Sequence, residues 1–263
     1  MRSRMPDIIT FIKNEALIRR MTSEEIANHL GYDKYYFSRK FKEINGFSIA
    51  EYLSSLKIEK GIAAMEHSNR IIELQDISMF ESSSSFANTF KKFTGSSPQK
   101  YRSDMNGLFD EVKSFENDNV HQTVEYYEKQ DIFYCNVTIE VPKDFEKGLF
   151  FIGLFRTPIP NHKPICGLAT KSLTLNVLEN IPKGEYYLLA CAIDYSSNII
   201  SYFNLQKCLR GRMIEKLSFP VCSGKNYRIK LRPPIPEDPP ILLSVAKLLI
   251  SSLKKTIQNN TNF

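Results

Sequence analysis

Several kinds of chemistry have no footing in this chain of 263 residues. Its five cysteines (Cys135, Cys166, Cys191, Cys208 and Cys222) are odd in number, form no C-x-x-C pair and mostly stand in apolar stretches. That describes reduced, buried thiols better than a metal or redox centre. The four histidines (His29, His67, His121 and His162) show no metal-ligand spacing. A glycine-rich phosphate loop, a nucleophile elbow and a zinc-hydrolase motif are all absent. No catalytic, metal or cofactor site can be assigned, and an enzyme is not expected. Long apolar runs are missing too: the longest, Ile241 to Leu253, is interrupted by Lys247 and is too short to span a bilayer. The opening Met1-Arg-Ser-Arg-Met-Pro leads into an amphipathic stretch with no apolar signal-peptide core, so the expected location is the cytoplasm, away from membranes.

Charge is equally undemonstrative. The net charge of +6 permits nucleic-acid binding without indicating it. Through Met105 there are 16 Lys and Arg against 13 Asp and Glu, so half of the excess lies in the second part of the chain. Length suggests roughly two domains of about 100 to 150 residues.

What the chain does contain is an internal repeat. Phe37, Phe41, Lys42, Gly46, Ser48 and Tyr52 recur as Phe86, Phe90, Lys91, Gly95, Ser97 and Tyr101, always 49 positions on. A repeat in one register outweighs any local motif. Each copy reads as a helix-turn-helix unit. In the first, Thr22 or Ser23 followed by Glu24 and Glu25 signals a helix start, and Gly31 ends that helix. Asp33 then caps a helix over roughly Lys34 to Ile44, with Phe37, Phe41 and Ile44 turned inward. Lys34, Tyr35, Ser38, Arg39 and Lys42 are left outward, as a helix that reads a major groove requires. From Ile49 to about Met65 a linker helix is expected, roughly 17 residues and about 25 Å long, with Tyr52, Leu53, Leu56, Ile62 and Ala63 buried. Such a strut suits two readers about one DNA turn (~34 Å) apart.

From about Ile8 to Tyr101 the chain resembles the DNA-binding domain of the AraC/XylS transcriptional regulators. The resemblance rests on Glu25-Ile-Ala-Asn-His-Leu-Gly-Tyr32, Tyr36-Phe-Ser-Arg-Lys-Phe-Lys42, Tyr52-Leu-Ser-Ser-Leu-Lys-Ile-Glu-Lys60 and, most specifically, Phe90-Lys-Lys-Phe-Thr-Gly-Ser-Ser-Pro-Gln-Lys-Tyr-Arg102. It implies a sequence-specific regulator that binds double-stranded DNA. RNA polymerase, a small-molecule effector and a second copy of the chain are candidate partners. The second unit departs from the family pattern. Before its turn the offset is 48 rather than 49, an insertion the family usually shows, but Gln75, Ser78 and Met79 stand where it favours small or apolar residues. Met79 is the counterpart of Gly31, and Gln75 facing a core needs a partner. The second reader's outward residues are Ser82, Ser83, Ser84, Asn88, Lys91 and Lys92. Short serines discriminate bases poorly, so the first unit is expected to carry most of the specificity and the second to position through backbone contacts.

After a polar tether with some helix over 106–122 the pattern changes to strands: Phe133–Val141, Gly148–Phe155, Leu173–Val177, Tyr186–Ile193 and Tyr227–Leu231. Short strands separated by Gly and Pro turns argue for an antiparallel β-sandwich over 123–263. A hairpin from Leu173 through Asn180-Ile-Pro-Lys-Gly184 to Ala192 resembles prealbumin-like domains, which implies a binding or scaffolding module. Pro233 to Pro240 reads as a stiff spacer. The helical stripe Leu242, Val245, Leu249 and Leu253 follows, packing on the sandwich or pairing with its copy in a dimer. No effector-binding residue can be named; Arg156 beyond an apolar strand is the nearest candidate for an anion. The expected fold class is thus multidomain α + β: an all-α tandem helix-turn-helix domain over 1–105, then a β-sandwich effector-binding or oligomerisation domain with a C-terminal helix. A second reading is a constitutive, dimerising architectural DNA-binding protein whose β-domain binds only protein.

Overall fold

The computed structural model describes residues 1–68, 70–117, 124–128, 131–174, 176–195 and 202–250. The chain divides into two compact units. One comprises Met1–Arg102 with Thr157–Ile159 and Ile235–Leu242; the other comprises Ser103–Arg156, Pro160–Pro234 and Leu243 onward.

The first unit is helical. Helix α1 (Met5–Phe11) passes into a wider π-type turn over Ile12–Ala16, keeping Ile8, Ile9, Ile12 and Ala16 on its buried side. Helix α2 (Ser23–His29) starts at Thr22, where a capping box with Glu25 satisfies the free amides of the first turn. Helix α3 (Lys34–Asn45) starts at Asp33, whose carboxylate accepts from the Tyr35 and Tyr36 amides. Helix α4 (Ile49–Ala64) starts at a second capping box, Ser48 with Glu51. Helix α5 (Ile71–Ile77) and helix α6 (Ser83–Thr94) complete the second copy. The repeat is thus structural: α5 follows α2 by 48 residues at both ends, and α6 follows α3 by 49 at both ends. Both 12-residue helices stop on a left-handed glycine, Gly46 at φ 81° and Gly95 at φ 79°, a conformation that costs glycine little.

At about 24 Å long, α4 is buried more widely than its apolar stripe foretold. Ser55, Ile58 and Gly61 are buried, while Leu53 and Ala63 are only half so. A close approach at Gly61 is one cause: a Cβ there would lie 2.6 Å from Ser78 Oγ and 3.0 Å from the Phe86 ring. Ser78 is therefore small because α4 passes against it, and its hydroxyl is satisfied by the Leu74 carbonyl at 2.5 Å. Ile159, from the second half of the chain, joins the core formed by Met5, Ile8, Ile26, Phe37, Phe41 and Tyr52.

The second unit is a pair of sheets: β1 (Val124–Tyr127), β2 (Phe133–Glu140), β3 (Gly148–Phe155), β4 (Cys166–Thr170), β5 (Asn176–Ile181), β6 (Gly184–Asp194), β7 (Leu209–Arg212), β8 (Leu217–Phe219) and β9 (Asn226–Lys230). One sheet runs β1-β4-β3-β6-β7, with β8 also on β6; the other runs β5-β2-β9. Pairing is antiparallel except between β2 and β9, which are parallel. A bridge between Arg210 and Arg232 lies just beyond the ends of β9 and within β7. Inward side chains of both sheets, among them Val137, Ile139, Ile152, Leu168, Leu188 and Ile229, form one core.

Two expectations, both about strands, need correction. The hairpin from Leu173 to Ala192 does not form: β5 pairs with β2 and β6 with β3, so the Ile181–Gly184 connection links different sheets. The strand expected over Leu173–Val177 lies later, over Asn176–Ile181. The tether is helical as far as Asn117, because α7 (Pro98–Asn117) continues through it. Its Val112 and Phe115 are buried, and its buried Glu116 accepts hydrogen bonds from Lys113 and Tyr202. In the Pro-rich spacer residues 233–236 are exposed, Asp238 accepts from the Ile235 amide at 2.9 Å, and residues 238–242 are buried. The C-terminal helix is seen over 245–250, with its buried Val245 and Leu249; Leu253 lies outside the described residues.

Candidate nucleic-acid interface

Each reader is held through aromatic packing against the helix that follows it, α3 against α4 and α6 against α7. In the first unit, Phe37 and Phe41 lie with ring centroids 5.8 Å apart, and Phe41 meets Tyr52 of α4 at 6.0 Å. In the second, Phe86 and Phe90 are 5.6 Å apart, and Phe90 meets Tyr101 at 5.4 Å. All six rings are buried, which fixes the rotation of each reader about its axis and leaves the opposite face outward.

On α3 that outward face carries the five expected residues, in unequal states. Tyr35 is 77% exposed. Arg39 and Lys42 are exposed and Ser38 half so. Glu43 is taken by Lys40 at 2.8 Å, which leaves Arg39 with no carboxylate at ion-pair distance among the described residues. Lys34 differs: its Nζ lies 2.7 Å from Glu24 Oε2 on the scaffold helix, and that hydrogen bond raises its pKa. The first turn of the reader is therefore ordered by two acids, Asp33 beneath its amides and Glu24 beside Lys34, and neither was among the expected site residues. An exposed ion pair is weakly held, so Lys34 remains available to a stronger anion.

The second reader presents Asn88, Lys91 and Lys92, all exposed. Its serines are largely occupied. Ser82 is the N-cap, accepting from the Ser85 amide at 3.2 Å, and lies 3.1 Å from Ser84 Oγ. Ser83 is half-buried and donates to Gln75 Oε1 at 2.6 Å. Of the three serines expected to face DNA, Ser84 is exposed and is neither the N-cap nor bound to Gln75, though its hydroxyl lies against that of Ser82. Gln75 thus has the partner that its place required. Met79 takes the left-handed turn position of Gly31, at φ 60° against φ 75°. Sequence reasoning also passed over Arg102, whose guanidinium donates to the Met65 and Ser68 carbonyls beyond α4. The family ending that includes Tyr101-Arg102 was the available signal.

Residues 26–104 match the helix-turn-helix domain family. The chain is 32% identical over 97 residues to the HTH-type transcriptional activator AarP of Providencia stuartii, covering 36% of this chain and 71% of that protein. The chain belongs to the AraC-type helix-turn-helix regulators. An HTH-type transcriptional regulator of Staphylococcus aureus (strain COL) is 27% identical to this AraC-type chain over 196 residues, or 69% of it. Only 24% of that longer relative is covered, so the chain spans about a quarter of its length. Among solved structures, the DNA-binding domain of AdpA in complex with a target DNA covers 39% of this chain and 93% of its own, at 20% identity and a TM-score of 0.36. The C-terminal domain of AraT, a response regulator from Geobacillus stearothermophilus, covers 38% and 84%, at 25% identity and a TM-score of 0.36. In the AraC-type unit described here, the family match ends two residues after Arg102, inside α7.

Proposed function

We propose that this protein is a sequence-specific, DNA-binding transcriptional regulator in which α3 and α6 enter successive groove segments of one duplex. The supporting observation is the duplication itself: two readers of equal length, each ending on a left-handed glycine and each carrying an exposed lysine at the same position, Lys42 and Lys91. Tyr35, Ser38, Arg39 and Lys42 would contact bases and phosphates in the first groove. Arginine suits the guanine edge because its guanidinium donates twice to O6 and N7. Ser84, Asn88, Lys91 and Lys92 would position the second helix mainly through phosphates. Lys34 would join the phosphate contacts only by leaving Glu24.

In this reading the β-sheet unit regulates the reader, as a module for a small-molecule effector or for a second copy of the chain. RNA polymerase is the further partner that a transcriptional activator would engage. No helix among the described residues is long and apolar enough to cross a membrane, and no group of metal-ligating residues is found among them. The test is selection of genomic fragments in vitro by the full chain at fixed, near-physiological salt. Recovery of one recurrent sequence with two protected segments supports the reading; fragments no richer in any sequence than the input pool would sink it.

A further inference from the structure

We propose that Gln75 is the positioning residue of the second reader, clamping α6 to its scaffold helix through Ser83. This rests on the reading of α6 as a DNA-facing helix. The two units share one backbone bond across their turns: the Tyr32 amide donates to the Ala27 carbonyl at 2.9 Å, and the Phe80 amide donates to the Gln75 carbonyl at 3.1 Å. Beyond that bond they differ. In the first unit the scaffold position is Ala27, fully buried among apolar neighbours. In the second it is Gln75, and its amide spans the turn. Nε2 donates to the Phe80 carbonyl at 3.1 Å, while Oε1 accepts from Ser83 Oγ at 2.6 Å. The two contacts fix the amide's orientation, since a carbonyl can only accept, and Ser83 must then be the donor.

The turn that is clamped is the irregular one. It carries Ser78 in place of leucine and Met79 in a left-handed conformation that glycine adopts at lower cost. The buried rings of Phe86 and Phe90 set which face of α6 turns outward; the pair of hydrogen bonds, to its first residue and to the preceding turn, sets where its first turn sits against α5. Ser84, Asn88 and Lys91 lie at spacings of four and three residues, hence along one face of α6. The seating of that face's first turn against α5 follows from how Ser83 is held. Ser83 acts on DNA through Gln75, and not by contacting a base.

The experiment uses the full chain and the duplex recovered by selection, with hydroxyl-radical footprinting and affinity measured at one salt concentration. Gln75→Met keeps side-chain length and removes both hydrogen bonds. It should abolish protection of the α6 segment, retain protection of the α3 segment, and weaken affinity about tenfold. Ser83→Ala, a small change at a half-buried first-turn residue, should lose the same segment, so the result stands even if Gln75→Met fails to fold. Adding Ser83→Ala to Gln75→Met should cost nothing more. Retained protection of both segments in either single variant, or additive losses in the double variant, would overturn the proposal. A wild-type footprint over one segment only would refute the two-groove reading and the positioning role together.

Discussion

Truncating Arg39 to alanine removes an exposed guanidinium that no neighbouring carboxylate holds, so the loss is read in binding and not in folding. Surface truncations of this kind change stability by no more than about 0.5 kcal/mol. A bidentate contact with the wrong or missing partner costs about 1–3 kcal/mol. At 1.4 kcal/mol per tenfold, that is a fall in affinity of roughly five- to 140-fold. A contact to phosphate behaves differently: it weakens every sequence alike and lowers the slope of log K against log salt by about 0.9. Fluorescence anisotropy on the selected duplex and on a scrambled one, each over a salt series, separates the two. Arg39→Ala should lose affinity on the selected duplex only, with little change of slope. Lys42→Ala should lose slope on both. Asn88→Ala, on the second reader, should cost distinctly less than Arg39→Ala. Equal losses for Arg39→Ala and Asn88→Ala would refute the dominance of the first unit. Equal losses on the two duplexes would refute the base contact.

Ile159→Ala should destabilise the helical unit by about 2–5 kcal/mol, since it empties a place in the core beside Ile8, Phe37 and Tyr52; unaltered hydrogen exchange in α1 to α4 would contradict that packing. Gly61→Ala sets a helix-propensity gain of about 1 kcal/mol against a Cβ 2.6 Å from Ser78 Oγ. Overpacking of about 1–3 kcal/mol should win, and a raised melting temperature would show that Ser78 gives way. Acid should loosen the helix starts. Glu25 ionises below the ordinary value of 4.5 through hydrogen bonds from Thr22, and Glu51 does so because the Ser48 bonds outweigh its burial, which acts the other way. Carboxylates with lowered folded-state pKa values contribute fully above the unfolded value and lose that contribution as pH falls through the folded one. Melting temperature should therefore fall less steeply below pH 4.5 in Thr22→Ala and Ser48→Ala than in the parent. Identical acid slopes would count against the capping boxes.

Much of the helical unit was legible because its signals are local. A hydroxyl or carboxylate before a helix, a glycine after it and phenylalanines four residues apart act within a turn or two, so α3 could be bounded to within a residue. The strands Gly148–Phe155 and Phe133–Glu140 were legible for the same reason, as an apolar run and an alternation. Cys166–Thr170 was not: it is buried along its whole length and shows no alternation to read. Nor could strand order be read, because β2 takes β5 and β9 as neighbours from 40 and more residues away, and only tertiary packing selects among such partners.

By itself, the sequence determined that there are two readers, where each begins and ends, and which side chains lie opposite the buried rings. Tertiary structure alone decided which of those side chains are already held by another residue. Glu24 reaches Lys34 across ten residues, Gln75 reaches Ser83 across eight, and Ser78 is admitted by Gly61 of a different helix. The reason is physical: periodicity reports which face a residue occupies, whereas a hydrogen bond or close approach depends on distances that exist only once the helices have packed.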